Sequence, residues 1–230
     1  FKNFLIKLKE FATTSRISFL TQNKKQTELV KLHFGKNVNV KTIGIWTSDL
    51  PNIKNIWNKR DNNNKNFILY HGHPMAGKGI FYTLELANKC PNIKFIFPFD
   101  KSEIDYKYIP INCEFKPMTW YTGMKEYAMD ARLVLVPSLW SAPIESALVK
   151  SILLLRGVCV VDEESAFCSE IDNEIIIKLS KNITEASKQI IKAYSEEWKP
   201  NDDKLNMWIN NHWENNSSPL NRIYDYLINE

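Results

Sequence analysis

Glycine, histidine and lysine crowd into one short stretch, Gly72-His73-Pro74-Met75-Ala76-Gly77-Lys78-Gly79. Glycines let a backbone approach a ligand closely, the free N–H groups and dipole of a helix start favour negative charge, and Lys78 adds a cation. The stretch lies between an apolar run, Phe67-Ile68-Leu69-Tyr70, and a helix-like pattern, Ile80-Phe81-Tyr82-Thr83-Leu84-Glu85-Leu86. Strand, glycine-rich turn and helix start in that order predict an anion site, and phosphate is the expected anion. Gly72 and Gly79 bound it, Lys78 supplies its charge, and His73 donates a hydrogen bond and is charged when protonated. His71 would face the opposite side and is expected to pack or to meet solvent.

A second junction follows the same order. Leu133-Val134-Leu135-Val136 reads as a strand, Pro137 to Ala142 as a turn, and Pro143-Ile144-Glu145 as a helix start with Pro143 at the first helical position. Ser138 and Ser141 are caps of the turn or helix, or ligand contacts. Glu145 is either a favourable charge in the first helical turn or a carboxylate that meets the ligand. Lys150 is a second cation for the ligand or part of a solvated helix face. A third run, Val158 to Val161, ends in the acidic pair Asp162-Glu163. Gly72–Lys78 fits G-x-x-x-x-G-K, so the two segments resemble the Walker elements of P-loop nucleotide hydrolases. Gly79 stands where that motif needs a hydroxyl to hold magnesium, and Pro74 removes an N–H from the loop. A P-loop-like nucleotide-binding protein is one reading.

Positioning these residues requires a regular scaffold. Residues 1–15 read as a helix with an apolar face of Phe4, Leu5, Leu8 and Phe11, followed by a strand at 16–20 and a helix at 24–34 closed by Gly35. A strand at 38–46 precedes a polar, turn-prone stretch, 49–65, which is the best linker. Beyond it, expected strands at 67–70, 93–98, 111–115, 133–136, 158–161 and 174–178 alternate with helices. Those helices are expected at 79–89, 121–129, 143–155, 183–197, 204–211 and 219–229. Short β-branched strands alternating with helices of ten or so residues predict an α/β fold, a Rossmann-like open parallel sheet with helices on both faces. Ligands of such sheets sit at the carboxyl ends of the strands.

Composition narrows the partners. A chain of 230 residues, 44% hydrophobic and 24% charged, can bury a sizeable core. Its formal charge of +4 suits anionic small ligands or an acidic membrane surface, and no aromatic-interleaved basic stripe points to nucleic acid. Cys90, Cys113, Cys159 and Cys168 form no CxxC pair and no compact His/Cys cluster, which predicts reduced thiols in a cytoplasmic protein and no zinc site. No run approaches the roughly 20 apolar residues that span a bilayer. The sequence begins at Phe1 without an initiator Met, so a part preceding it is expected.

The order Gly72–Gly79, then Leu133–Glu145, then Val160–Ile171 resembles the donor half of the GT-B nucleotide-sugar glycosyltransferases, in the large family-4-like group. The resemblance runs over roughly residues 17–230. It implies that residues 1–50 end an acceptor-side domain and its linker, and that 51–230 form the Rossmann-like donor domain. The glycine turn corresponds to a Gly-Arg-x-x-x-x-Lys-Gly turn whose Arg and Lys hold the donor diphosphate, here His73 and Lys78 beside Gly72 and Gly79. The family's two glutamates of the second junction, one for the sugar and one for the ribose, fall on Ala142 and Lys150, so Glu145 becomes the candidate catalytic carboxylate. Phe115 and Met118 fall where the family often holds the base. Ser138, Ser141, Ile144 and Lys150 fall around the remaining donor contacts. The implied reaction moves a sugar from a nucleotide-diphosphate donor to a glycan or lipid-linked acceptor, in polysaccharide synthesis, with no metal and no other cofactor. The implied location is cytoplasmic, with peripheral membrane contact assigned to the part before Phe1. The alternative is a degenerate domain that binds a sugar nucleotide or a partner without catalysis, and the P-loop-like protein comes second.

Overall fold

The computed structural model describes residues 2–14, 17–44, 65–140, 143–154, 157–216 and 223. The polar stretch expected as a linker lies outside them up to Asn64, as do Ser141 and, apart from residue 223, the helix expected at 219–229.

Helix α1 spans Lys2–Thr13 and is followed by strand β1 (Ser18–Thr21), helix α2 (Lys24–Phe34) and strand β2 (Asn39–Thr42). β1 and β2 pair in parallel, Ser18 opposite Asn39. A parallel pair needs a crossover, and α2 supplies it. Asn23 caps that helix by accepting from the Gln26 N–H at 2.9 Å, and Gly35 ends it with its N–H on the Lys31 carbonyl.

The main sheet has six strands, all parallel: β3 (Lys65–Tyr70), β4 (Lys94–Phe97), β5 (Cys113–Phe115), β6 (Ala131–Leu135), β7 (Val158–Val161) and β8 (Ile177–Leu179). Their spatial order is β5-β4-β3-β6-β7-β8. Helices α3 (Ile80–Lys89), α4 (Lys125–Asp130), α5 (Ser146–Leu154), α6 (Ile183–Ser195) and α7 (Asp202–Asn216) complete the domain.

Alternation along the strands sorts the core into two layers. Ile68, Tyr70, Leu133 and Leu135 pack with Ile80 and Leu84 of α3 and Ile190 of α6. Phe67, Leu69, Val134 and Val136 pack with Ala128 of α4, Leu148 and Ile152 of α5 and Leu205 of α7. The sheet is thus covered on both faces, as its apolar, β-branched strands require.

Two expected helices are corrected. The one expected at 121–129 is split: Trp120–Met124 form a wide turn in which Thr122 and Gly123 leave helical dihedrals, and only Lys125–Asp130 are α-helical. Thr119 and Thr122 lock that turn, the Thr119 N–H donating to Thr122 Oγ1 at 2.8 Å. The helix expected from Pro143 begins instead at Ser146. Glu145 precedes it, its carbonyl accepting from the Val149 N–H at 3.0 Å, so Glu145 caps the helix with its backbone and is not in the first turn.

Candidate anion site at the switch point of the sheet

In this strand order the chain winds one way from β3 through β4 to β5, and the other way from β6 to β8. The crevice between the carboxyl ends of β3 and β6 is the switch point, where open α/β sheets take ligands. The loops that leave those two strands are the two junctions with chemistry-bearing residues. The sequence-predicted site residues Gly72, His73, Lys78 and Gly79 come from one loop, and Ser138, Ile144 and Glu145 from the other.

The first loop is shaped from within. Tyr70 is fully buried at the end of β3, and its hydroxyl lies 2.7 Å from the His73 carbonyl and 2.9 Å from that of Lys78, sharing its one proton between them. Burial pushes the Tyr70 phenol well above its ordinary range, so it stays a donor. Ala76–Lys78 make one tight helical turn, and Gly79 follows at φ 75° and ψ 24°, in the left-handed region. A Cβ on Gly79 would lie 2.1 Å from the Pro137 carbonyl oxygen, so a glycine is required for conformation and for contact alike.

The second loop lies directly on the first. The Leu139 N–H donates to the Gly77 carbonyl at 3.0 Å, and the Trp140 indole covers Gly77 so closely that a Cβ there would sit 1.7 Å from its Nε1. Lys78 Nζ is 5.8 Å from the centre of the Trp140 ring. The ammonium makes an ion pair with Glu145 Oε1 at 2.6 Å, and the same oxygen accepts from the Ser138 hydroxyl at 2.6 Å. The Lys78 and Glu145 side chains are only 22% and 9% exposed. Next to them, the Ile144 N–H donates to Gln22 Oε1 at 3.1 Å, which ties the end of β1 to the start of α5. A cleft of about 930 Å³, lined among others by Gln22, Lys25, Ile144, Glu170 and Trp208, opens beside this contact.

His73 is exposed. His71 is buried, its ring stacked on Trp120 at 5.4 Å and its Nδ1 2.9 Å from Ser151 Oγ. That hydroxyl donates to the Ala147 carbonyl at 2.7 Å, so the His71 Nδ1 carries the proton and the ring is neutral. Burial, with Lys150 and His73 nearby, lowers the His71 pKa to about 3. Lys150 Nζ sits 4.9 Å from the Trp120 ring centre, so Lys150, Trp120 and His71 form a column apart from the Lys78–Glu145 pair. Phe115 stacks on Phe97 at 5.0 Å, and Met118 packs against the core layer of α4 and α5. Ser141 lies outside the described residues.

Tyr70 and Gln22 were not singled out by the sequence as parts of the site. Tyr70 had a local signal, an aromatic with a polar tip at the last strand position before a glycine turn. Gln22 had none, because its partner Ile144 is 122 residues away.

The arrangement offers a lysine and helix starts to an anion. It does not make a P-loop cradle. The N–H groups of Met75, Lys78 and Gly79 are spent on carbonyls of their own loop, and Glu163 is held by Lys181 at 2.7 Å and by Ser165. Among the described residues no group of three or more His, Cys, Asp or Glu could hold a metal ion, and all four cysteines are free thiols. No helix among the described residues is long and apolar enough to cross a membrane.

No protein-family model matches the sequence, and no curated protein matches it either. Solved structures do. Sucrose-phosphate synthase from Thermosynechococcus elongatus superposes with a TM-score of 0.72 at 13% identity, over 99% of this chain and 62% of that one. TarM superposes at 0.60 and 18% identity, over 97% of this chain and 45% of its own length. WaaG, a glycosyltransferase of lipopolysaccharide biosynthesis, superposes at 0.52 and 15% identity, over 84% of this chain and 56% of its own. The chain therefore spans less than two thirds of these neighbours' length. At such identities the likeness concerns the fold.

Proposed function

We propose that this chain, which has the fold of the GT-B glycosyltransferases, binds the donor of a glycosyl transfer. The donor is a nucleoside-diphosphate sugar and the acceptor a glycan or another, lipid-linked acceptor. One observation carries the reading: the Lys78 ammonium lies between the two loops of the switch point, where a departing diphosphate would need a cation. His73, on the same turn, is the second donor to the diphosphate. The N–H groups at the start of α5 complete the anion's partners, so no metal is required. Glu145, the carboxylate beside Lys78, is assigned to the sugar side of the donor. Lys150 and the half-buried Phe115 and Met118 border the nucleoside side. Residues 51–230 are the donor domain on this reading, and residues 1–50 end the acceptor-side domain.

A mutant of S. aureus TarM has been solved in complex with fondaparinux, alpha-GlcNAc-glycerol and UDP, ligands of the same kinds for that protein. Cytoplasmic location, a role in polysaccharide synthesis and peripheral membrane contact belong to the same proposal. Against catalysis by this chain stand Ala142 and Lys150, which occupy the places where the family carries glutamates. A binding domain without turnover is the second reading for that reason.

Titration calorimetry with UDP, GDP, ADP, ATP and GTP, with and without magnesium, tests the donor site that both readings share. Binding of one diphosphonucleotide without metal, abolished in Lys78→Ala, is the expected result. Binding of ATP or GTP only with magnesium, or of no nucleotide, would overturn the donor-site reading.

A further inference from the structure

The two loops of the switch point already bring an anion to Lys78, and it belongs to the chain itself. Glu145 Oε1 sits 2.6 Å from Lys78 Nζ and 2.6 Å from the Ser138 hydroxyl, in a place where its side chain is 9% exposed. An oxyanion held by an ammonium and a hydroxyl at the mouth of two helix-preceding loops is the arrangement a phosphate oxygen would take there. The pattern repeats one residue earlier. The Ile144 N–H, one of the groups a ligand would use at the start of α5, is taken by the Gln22 side-chain oxygen at 3.1 Å.

We propose that Glu145 is a resident counter-anion of the site, which a diphosphate must displace from Lys78 in order to bind. The inference rests on the donor-site reading and adds to it a determinant of affinity. Glu145 and the diphosphate compete for one cation. A half-buried ammonium cannot give full strength to two anions, and a carboxylate left beside a diphosphate repels it as a like charge. A ligand therefore gains only the difference between its own contact with Lys78 and the one it breaks. Glu145 precedes α5, so rotation about its side-chain bonds would move the carboxylate without breaking a backbone bond of the helix. Once displaced, the carboxylate is available on the sugar side of the donor.

Charge removal isolates the effect. Glu145→Gln keeps the size and the hydrogen-bond acceptor for Ser138 but leaves Lys78 an uncompensated cation. Inorganic pyrophosphate, which carries no base or sugar, is titrated into the 230-residue chain by calorimetry in metal-free buffer. Glu145→Gln is expected to bind pyrophosphate at least tenfold more tightly than the unsubstituted chain. Glu145→Asp, whose shorter side chain draws the carboxylate back from Lys78, is expected to fall between the two and serves if the Gln variant does not fold. Adding Lys78→Ala is expected to abolish the gain, since the competition is for that ammonium. Equal or weaker binding by the Gln and Asp variants would overturn the counter-anion role while leaving the donor site standing. No pyrophosphate binding by any of the chains, together with none of UDP, GDP or ADP, would overturn both.

Discussion

The loop after Tyr70 is shaped from below by its own strand, whereas the loop after Leu135 is shaped from the side by residues distant in sequence. In the first, a buried hydroxyl holds two carbonyls and a left-handed glycine turns the chain into α3. In the second, Ser138, Ile144 and Glu145 are held by their own loop, by Gln22 and by Lys78. Backbone geometry and core packing make the first loop stiff. Side-chain contacts that a ligand can exchange make the second one responsive. A site that must keep its cation in place and still admit an anion needs one loop of each kind.

The largest effect should come from the point where the stiff loop touches the other backbone. Gly79→Ala adds a methyl 2.1 Å from the Pro137 carbonyl oxygen and forces a residue with a side chain into φ 75°. Left-handed strain costs roughly 1–3 kcal/mol, and the overlap cannot be relieved by a side-chain rotation, so a total of about 4 kcal/mol is expected. Urea denaturation measures it. A loss below about 1 kcal/mol would mean that the first loop is not stiff.

Next comes acid, read through His71, which joins β3 to α5. Its pKa is lowered to about 3 in the folded chain from 6.5, so the unfolded state binds the proton more readily. Stability is then complete above pH 6.5 and falls as pH drops through the window from 6.5 towards 3. At pH 4.5 the expected loss is about 2 kcal/mol relative to pH 7, given 1.36 kcal/mol per pH unit and some relaxation. His71→Phe keeps a ring on Trp120 and removes the proton site, so its stability should vary less over that window. His212, with its pKa lowered to about 4 by burial, contributes to both proteins and cancels in the comparison. Parallel pH curves for the two proteins would refute the assignment.

Tyr70→Phe is smaller again. It deletes the proton shared by the His73 and Lys78 carbonyls, and because both contacts are only part-buried the expected cost is about 1 kcal/mol, the net worth of an ordinary hydrogen bond. It should also loosen Lys78, so pyrophosphate binding is expected to weaken along with stability. A loss of stability with binding unchanged would show that the hydroxyl supports the core and not the cation.

Much of this could be read from sequence, and the division follows the two loops. Glycines flanking a lysine after Phe67–Tyr70 announce a strand, a turn and a helix, because each of those signals is local. The parallel sheet was legible for the same reason, since β-branched strands and capped helices alternate at regular spacing. The break at Thr122 and Gly123 was not, because the apolar spacing of 121–129 suits a helix and a threonine lock overrides it. The start of α5 was expected at Pro143 from a local signal, whereas the helix begins at Ser146 and Ile144 lies before it with its N–H on Gln22, 122 residues away. Glu145 was visible as a carboxylate near the site, but its pairing with Lys78 joins residues 67 positions apart. Strand order decides that meeting, and one sequence does not state strand order.

The smallest expected change tests the responsive loop where it meets the stiff one. Gly77→Ala puts a methyl 1.7 Å from the Trp140 indole nitrogen, a closer overlap than the one at Gly79. The obstacle here is a side chain that is 60% exposed, free to swing into solvent about its own bonds. Helix and turn positions outside strained dihedrals accept alanine readily, so the net loss should stay below about 0.5 kcal/mol. Pairing the change with Trp140→Ala makes the test specific: with the indole gone, Gly77→Ala should cost nothing, and the two substitutions should fail to add. If Gly77→Ala instead costs as much as Gly79→Ala, in either background, the overlap is being met by backbone. The second loop would then be as rigid as the first, and the contrast between them would fall.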